Sequence, residues 1–583
     1  MFKFLTSISV LCLAMAVHAN DEDAKLQQVF QDYLNAQMKA SPVEASQLGA
    51  RDYDGLMDDL SAAARQANID RQQKMYDQLP KLVAYDKLSE NGKVDFEIFR
   101  DHLAKLLWLA KHSDPFANDP RVWNSYATDS VFLILTQSTA PKAQQVRAAA
   151  SRIAGIPKVL AEAKKAVKNP PKVYTESAIR QVAGSIEFYK QGIFGITGET
   201  RGISALTEPC AAAVKALESY HQFLKDTVLP RSNDNWRLGK KLFAEKLQHE
   251  LNLDITADQL LADALAESKR VNAEMYVVAR QLWSQLFTGK PLPPDDAAGR
   301  SQCIQLVLAE LGKEHGTVES LVPDAQKTAE EIKLFLQKND LLRLPTPDRC
   351  DIIEMPEFQR GFSTAYLNPA PPLDPKAKSF YAVSPPPKDW DDRTVQSYLQ
   401  EYNRAMMKLL TIHEAYPGHY VQLEYSNRCP SLVRRILSSG VFAEGWAVYT
   451  EQMMVDQGFG KGDLSLRLHQ LKWYLRAVTN AILDYRMHCD ALSDEDAFKL
   501  LVVDAFQTAG EANGKIIRAK LSSCQLSTYF AGRMAFYRLR QAVSREQGSE
   551  FHLGRFHEAV LDHGTLPVKY LPKLVPERLK HPR

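Results

Sequence analysis

Proline is spread unevenly along this 583-residue chain: ten of its thirty prolines fall between residues 345 and 390. A locked φ and a missing N–H exclude continuous helix there, so this stretch is expected to be extended and looped. The flanks read differently. Segments 24–37, 146–168, 176–194, 208–227 and 257–287 carry apolar residues three and four apart among abundant Ala, Gln, Lys and Glu, the pattern of amphipathic helices. Pro170-Pro171 and residues 289–294 are the clearest breaks, and no fixed-period repeat is visible. After residue 391 the helical pattern returns to the end. Residues 20–344 therefore read as a helical N-terminal part and 345–583 as a second part, packed together as one structural unit. Within the proline-rich stretch, 362–367 and 378–384 have the β-branched and aromatic content of short strands, the second ending at Pro385-Pro386-Pro387.

With 45% hydrophobic residues the chain can bury a large core, and 72 basic against 70 acidic residues argue against a nucleic-acid footprint. Residues 1–19 read as a cleavable export signal: Lys3, an apolar run over 4–16, then Val17-His18-Ala19. No later apolar run reaches the length of a membrane span, so the mature protein is expected to be periplasmic or secreted. Cys12 lacks the small preceding residue of a lipoprotein signal, so no membrane anchor is expected. The six other cysteines permit up to three disulfides in an oxidising compartment and suit small buried apolar positions equally well. None has the spacing of a thiolate metal site.

The chemistry concentrates at His413-Glu414-Ala415-Tyr416-Pro417-Gly418-His419. Zinc hydrolases use His-Glu-x-x-His, with both imidazoles on one helix face. Here the second His comes at i+6, and an unbroken helix would set the two about 120° apart. Pro417 and Gly418 are expected to bulge the helix and bring His419 round. A catalytic zinc takes three protein ligands, and Glu444 is the best third. It begins Glu444-Gly445-Trp446-Ala447, and it lies seven residues before Glu451 on one helical face.

These segments resemble a known family. In gluzincin peptidases a Glu-Gly-aromatic-Ala helix supplies the third ligand, and the two motifs together resemble the signature of the bacterial domain-of-unknown-function 885 family, whose members look like helical zinc metallopeptidases. The resemblance runs nearly end to end. Ser41-Pro42-Val43-Glu44-Ala45-Ser46-Gln47-Leu48-Gly49 with Asp52-Tyr53-Asp54 is similar to the family's opening motif, and Phe556-His557-Glu558-Ala559 with Gly564-Thr565-Leu566-Pro567 to its closing one. Asp484, His488, Gln525, Tyr529, Gly532 and Arg540 match further family positions. Arg518-Ala519 and Ser523-Cys524 depart from the usual Arg-Tyr and Pro-Gly, which bears on the substrate pocket more than on the metal.

The expected fold is thus mainly α: a large helical zincin-like enzyme with a small proline-rich β segment before the metal-binding helix. His413, His419 and Glu444 would hold one Zn2+ per chain, although this donor set also suits other divalent ions. Glu414 would act as general base, and Tyr529, with His488 sharing the role, would stabilise an oxyanion. Glu451 and Asp484 would orient these groups from behind. Arg518, Arg540 and Tyr381 are the candidates for substrate contact, with the strands before the metal helix offering an edge for an extended substrate. His557 and His563 match no ligand spacing and read as structural. The leading function is zinc-dependent hydrolysis of short peptides. A metal-dependent amidohydrolase acting on cell-wall peptides or modified amino acids, and a non-catalytic peptide-binding protein, are the alternatives. Oligomeric state is not legible.

Overall fold

The helix Ala257–Leu286 begins at a reciprocal cap: Thr256 Oγ1 accepts the Gln259 N–H, and the Gln259 side chain accepts the Thr256 N–H. Its buried stripe, Leu260, Ala264, Val271, Met275, Ala279 and Leu282, packs along Leu464–Cys489, as the period of the sequence requires. In the computed structural model, which describes residues 21–355, 365–388 and 390–580, helices of this kind make up most of the protein. The export signal expected at residues 1–19 lies outside the described residues. No helix among them is long and apolar enough to cross a membrane.

The main core crosses residue 344, joining Leu247, Met275 and Trp283 to Leu410, Trp446 and Val478. A second core is formed within residues 60–228, around Trp123, Ile153, Val182 and Leu217. The segment 146–168 is two helices, Lys142–Ala154 and Ile156–Ala166, because Pro157 lacks the N–H that would continue the first one past Gly155. The helices expected at 176–194 and 208–227 loosen into wider turns at Phe188–Gly192 and Leu224–Val228. All six cysteines among the described residues are free.

The proline-rich stretch forms a three-stranded sheet in the order β1-β3-β2, with β1 at Cys350–Glu354, β2 at Ala365–Asn368 and β3 at Ser379–Val383. β1 runs parallel to β3 and β2 antiparallel to it. β3 realises the strand expected at 378–384. The one expected at 362–367 is seen from Ala365, residues 362–364 lying outside the described set. β1 was not anticipated, since only Ile352 and Ile353 mark it. The opening motif braces this segment from below. Gly49, at φ +97°, lies so close to Asp374 that a Cβ would stand 2.8 Å from its backbone nitrogen, and Arg51 Nε donates to Asp374 Oδ2 at 2.8 Å.

Candidate metal centre

The helix Arg404–Glu414 starts at Asn403, whose side-chain oxygen accepts the N–H groups of Ala405 and Met406 at 3.1 and 3.2 Å. Met406, Met407, Leu409, Leu410 and Ile412 bury it, leaving His413 and Glu414 on its last turn. The helix does not bulge past them; it stops. Ala415 to Gly418 form a turn, and a new helix, His419–Asn427, begins at the second histidine. Gly418 sends its N–H to the Ile412 carbonyl at 3.0 Å. A Cβ on Gly418 would lie 1.9 Å from the His413 carbonyl oxygen, so only glycine permits this fold-back. The imidazoles meet at a centroid distance of 4.7 Å, nearly perpendicular at 87°.

Glu444 arrives on the helix Gly440–Asp456, capped by Ser439. Its Oε2 lies 3.7 Å from His413 Nε2 and 3.5 Å from His419 Nε2, and the three donor atoms all fall within 4.8 Å of one another. That Oε2 is buried and without a hydrogen-bond partner. The following residues hold the helix in place. Trp446 donates its indole N–H to the Pro417 carbonyl at 2.8 Å, pinning the turn between the histidines. Gly445 faces Gly532 of the helix Thr528–Gln547 so closely that a Cβ would come within 2.4 Å of Gly532 backbone.

Glu451, one helical face along from Glu444, lies 2.6 Å from His413 Nδ1 and accepts the Trp473 indole N–H at 3.0 Å. Burial pushes the Glu451 carboxyl well above its ordinary range. Burial, and then the neighbouring His419, press the His413 imidazolium down to about 3, so this ring is neutral. Burial would also raise Glu444, but the two histidines outweigh it and hold the carboxyl below its ordinary value. Glu414 is pushed up to about 7, chiefly by burial, against the opposing pull of His419 and of the nearby Leu367 backbone N–H on edge strand β2. The Tyr529 hydroxyl lies near Glu444 and helps hold its carboxyl down, and it accepts from Arg518 Nη2 at 3.1 Å; that Arg518 nitrogen also reaches Gln525 Oε1 at 2.8 Å.

A cavity of about 860 Å³ opens above these groups, lined by His413, Glu414, Tyr529 and Arg518. Four expected site residues lie elsewhere. His488 is walled in: Nε2 faces the carbonyls of Ala519 and Ser522 at 3.0 and 2.9 Å, Nδ1 accepts from Leu238 N at 3.4 Å, and the ring stacks on Phe243. With both nitrogens engaged it cannot serve an oxyanion. Arg540 lies near Tyr449, whose hydroxyl is 2.8 Å from His557 Nε2, and it does not line the cavity. Tyr381 is wholly buried on the central strand β3, its hydroxyl 3.3 Å from Thr411, so it supports the helix Arg404–Glu414 and does not line the cavity. Asp484 accepts from Cys524 N, Ser527 N and Ser527 Oγ at 3.0, 3.2 and 2.8 Å. It therefore braces the loop that carries Gln525 into the Tyr529 helix, and it has no contact with a ligand residue. His557, read as structural, also meets the Leu341 carbonyl at 2.7 Å.

Sequence reading missed the charged wall of the cavity. Lys472 binds Glu401 at 2.7 and 2.9 Å, and Arg476 Nη1 and the Tyr402 hydroxyl converge on Glu511 Oε1 at 2.9 and 2.7 Å. Lys472, Arg476 and Asn480 recur every fourth residue within the mostly apolar stretch 471–483 of the helix Leu464–Cys489, which was the available signal.

The family described as "Bacterial protein of unknown function (DUF885)" matches residues 42–575. Among solved structures, a "putative lipoprotein of unknown function" from Shewanella oneidensis is 28% identical, with a TM-score of 0.79 over 94% of this chain and 99% of that one. A "putative lipoprotein" from Colwellia psychrerythraea shares the fold, with 16% identity and a TM-score of 0.75 over 97% of this chain and all of that one. No curated protein matches the chain.

Proposed function

We propose that this chain, which belongs to the DUF885 family of bacterial proteins of unknown function, is a gluzincin-like, zinc-dependent hydrolase of amide bonds in short peptides. The observation that carries the reading is the convergence of His413, His419 and Glu444 to within 4.8 Å beside a carboxylate at the floor of a large cavity. The donor set fits the ion. Two imidazoles and a carboxylate are a catalytic zinc set, and the buried, unpartnered Glu444 Oε2 is the atom a cation would satisfy. When bound, such an ion polarises a carbonyl and acidifies water.

The rest of the chemistry belongs to the side chains. Glu414, at the cavity wall, takes the proton of the attacking water on its carboxylate and passes it to the leaving nitrogen. The Tyr529 hydroxyl, at the cavity wall, is placed to hydrogen-bond the oxygen on which negative charge develops. Glu451 fixes the His413 ring through Nδ1, leaving Nε2 for the ion. The edge strand β2, whose Leu367 N–H faces Glu414, offers main-chain groups to an extended substrate. The apolar leader at residues 1–19 supports an exported enzyme, as does the description of both solved relatives as lipoproteins.

Metal analysis of the purified protein together with Glu414→Gln tests this reading. The wild type is expected to carry one zinc and to cleave short peptides, and Glu414→Gln to keep the metal and lose turnover. His413→Ala and Glu444→Ala are expected to lose the ion. A wild type that takes up no divalent transition metal under any loading condition overturns the proposal.

A further inference from the structure

The cavity wall carries one buried lysine that no carboxylate pairs with directly among the described residues. The helix Ala509–Leu521 turns Gly510, Glu511, Gly514, Lys515 and Arg518 toward the cavity, positions that share one helical face. Glu511 is already taken by Arg476 and Tyr402 at 2.9 and 2.7 Å, and Glu401 by Lys472. Lys515 is different. It is only 5% exposed, yet among the described residues it makes no hydrogen bond or ion pair. Burial, and then Arg476 and Arg518, hold its ammonium well below the ordinary lysine range against the pull of Glu511 and Glu444, of which Glu511 is bonded to Arg476 and Tyr402 and Glu444 faces the two histidines. A buried ammonium beside two guanidinium groups is costly unless an anion joins it.

The glycines on this face point the same way. A Cβ on Gly510 or Gly514 would meet nothing within 4 Å, so neither is required by packing. Both leave bare backbone and open space beside Lys515. Arg518 uses Nη2 for Gln525 and Tyr529, which leaves its other N–H donors for a ligand. Arg518 reaches the Tyr529 hydroxyl at 3.1 Å, and Lys515 lines the same cavity, so an anion held between the two cations would share the cavity with the proposed reacting groups.

We propose that Lys515, with Arg518 beside it, binds a carboxylate of the substrate, the free C-terminal carboxylate of a short peptide cleaved near that end. The assignment of the cleaved bond rests on the hydrolase reading above; the carboxylate subsite does not. The test uses full-length, zinc-loaded Glu414→Gln protein and calorimetric titration with three probes: Ala-Ala-Phe, its C-terminal amide, and Ala-Glu amide, which carries only a side-chain carboxylate. The free acid is expected to bind about 10- to 100-fold more tightly than its amide, the worth of a charge-assisted hydrogen-bonded pair. Adding Lys515→Met should erase that ratio and Lys515→Arg should keep most of it. Tight, Lys515-dependent binding of Ala-Glu amide instead supports the same anion subsite and assigns its carboxylate to a substrate side chain. Equal binding of acid and amide, or a ratio unmoved by Lys515→Met, overturns the proposal. If circular dichroism shows that Lys515→Met does not fold, Arg518→Gln reads the same ratio from the cavity rim. A wild type that cleaves no peptide while the ratio persists removes the hydrolase reading and leaves the subsite standing.

Discussion

Glu451 Oε1 lies 2.6 Å from Nδ1 of His413, and the same oxygen takes the Trp473 indole N–H at 3.0 Å. One buried carboxylate therefore fixes both the tautomer and the tilt of a candidate metal ligand. Glu451→Gln is expected to weaken metal affinity by about 10- to 100-fold with little change in far-UV circular dichroism. Competition with a chelator of known affinity measures it, and unchanged affinity would remove Glu451 from the site.

The contact between Gly445 and Gly532 has no room for a methyl group. Gly445→Ala is expected to cost about 1–3 kcal/mol through overpacking, read by urea denaturation of the metal-free protein. Gly510→Ala and Gly514→Ala, where a Cβ meets nothing within 4 Å, serve as controls. Relief of backbone entropy in a helix should leave them neutral or slightly stabilised.

Trp446→Phe keeps most of the packing volume and removes the donor to the Pro417 carbonyl. The buried oxygen left behind is expected to cost about 1–3 kcal/mol. Because that carbonyl sits in the turn joining the two histidines, metal affinity should fall with stability. A variant that lost stability but held its metal unchanged would show that the turn keeps its shape without the tryptophan.

In metal-free protein Glu414 is shifted from its ordinary 4.5 to about 7. The folded state thus keeps a proton that the unfolded chain has released across this window, so this group's contribution to stability falls as pH rises from about 4.5 to 7. Thermal melts of the metal-free wild type and Glu414→Gln across that range are expected to converge at the acid end. The wild type should drop relative to the variant toward neutrality, and parallel curves would contradict the shift.

Helix-period patterns located most helices, and proline located the sheet, because both signals are local. The candidate metal ligands were legible for the same reason: two short motifs name His413, His419 and Glu444. The way the histidines are joined was only half legible. Pro417 and Gly418 announce a distortion, but whether a helix bulges or ends depends on what receives the freed backbone, here Trp446 from another helix. His488, Arg540 and Tyr381 were misplaced because residue type suggests chemistry while surroundings decide it, and each is set among residues distant in sequence, such as Leu238, Tyr449 and Thr411, away from the cavity. Lys515 was missed for the converse reason. A lysine on an amphipathic helix reads as solvated until its neighbours show that the space it faces is enclosed.

The abutment of Gly445 and Gly532 also has a mechanical meaning. Glu444 is the residue before one glycine, and Tyr529 lies three residues before the other. Backbone pressed on backbone leaves no compliant side chains between them, so the crossing acts as a fixed bearing, and a ligand carboxylate and a phenol hydroxyl keep their spacing however the rest of the cleft breathes. Substitutions elsewhere can reshape the substrate space without detuning that pair, whereas at the crossing itself one change displaces both.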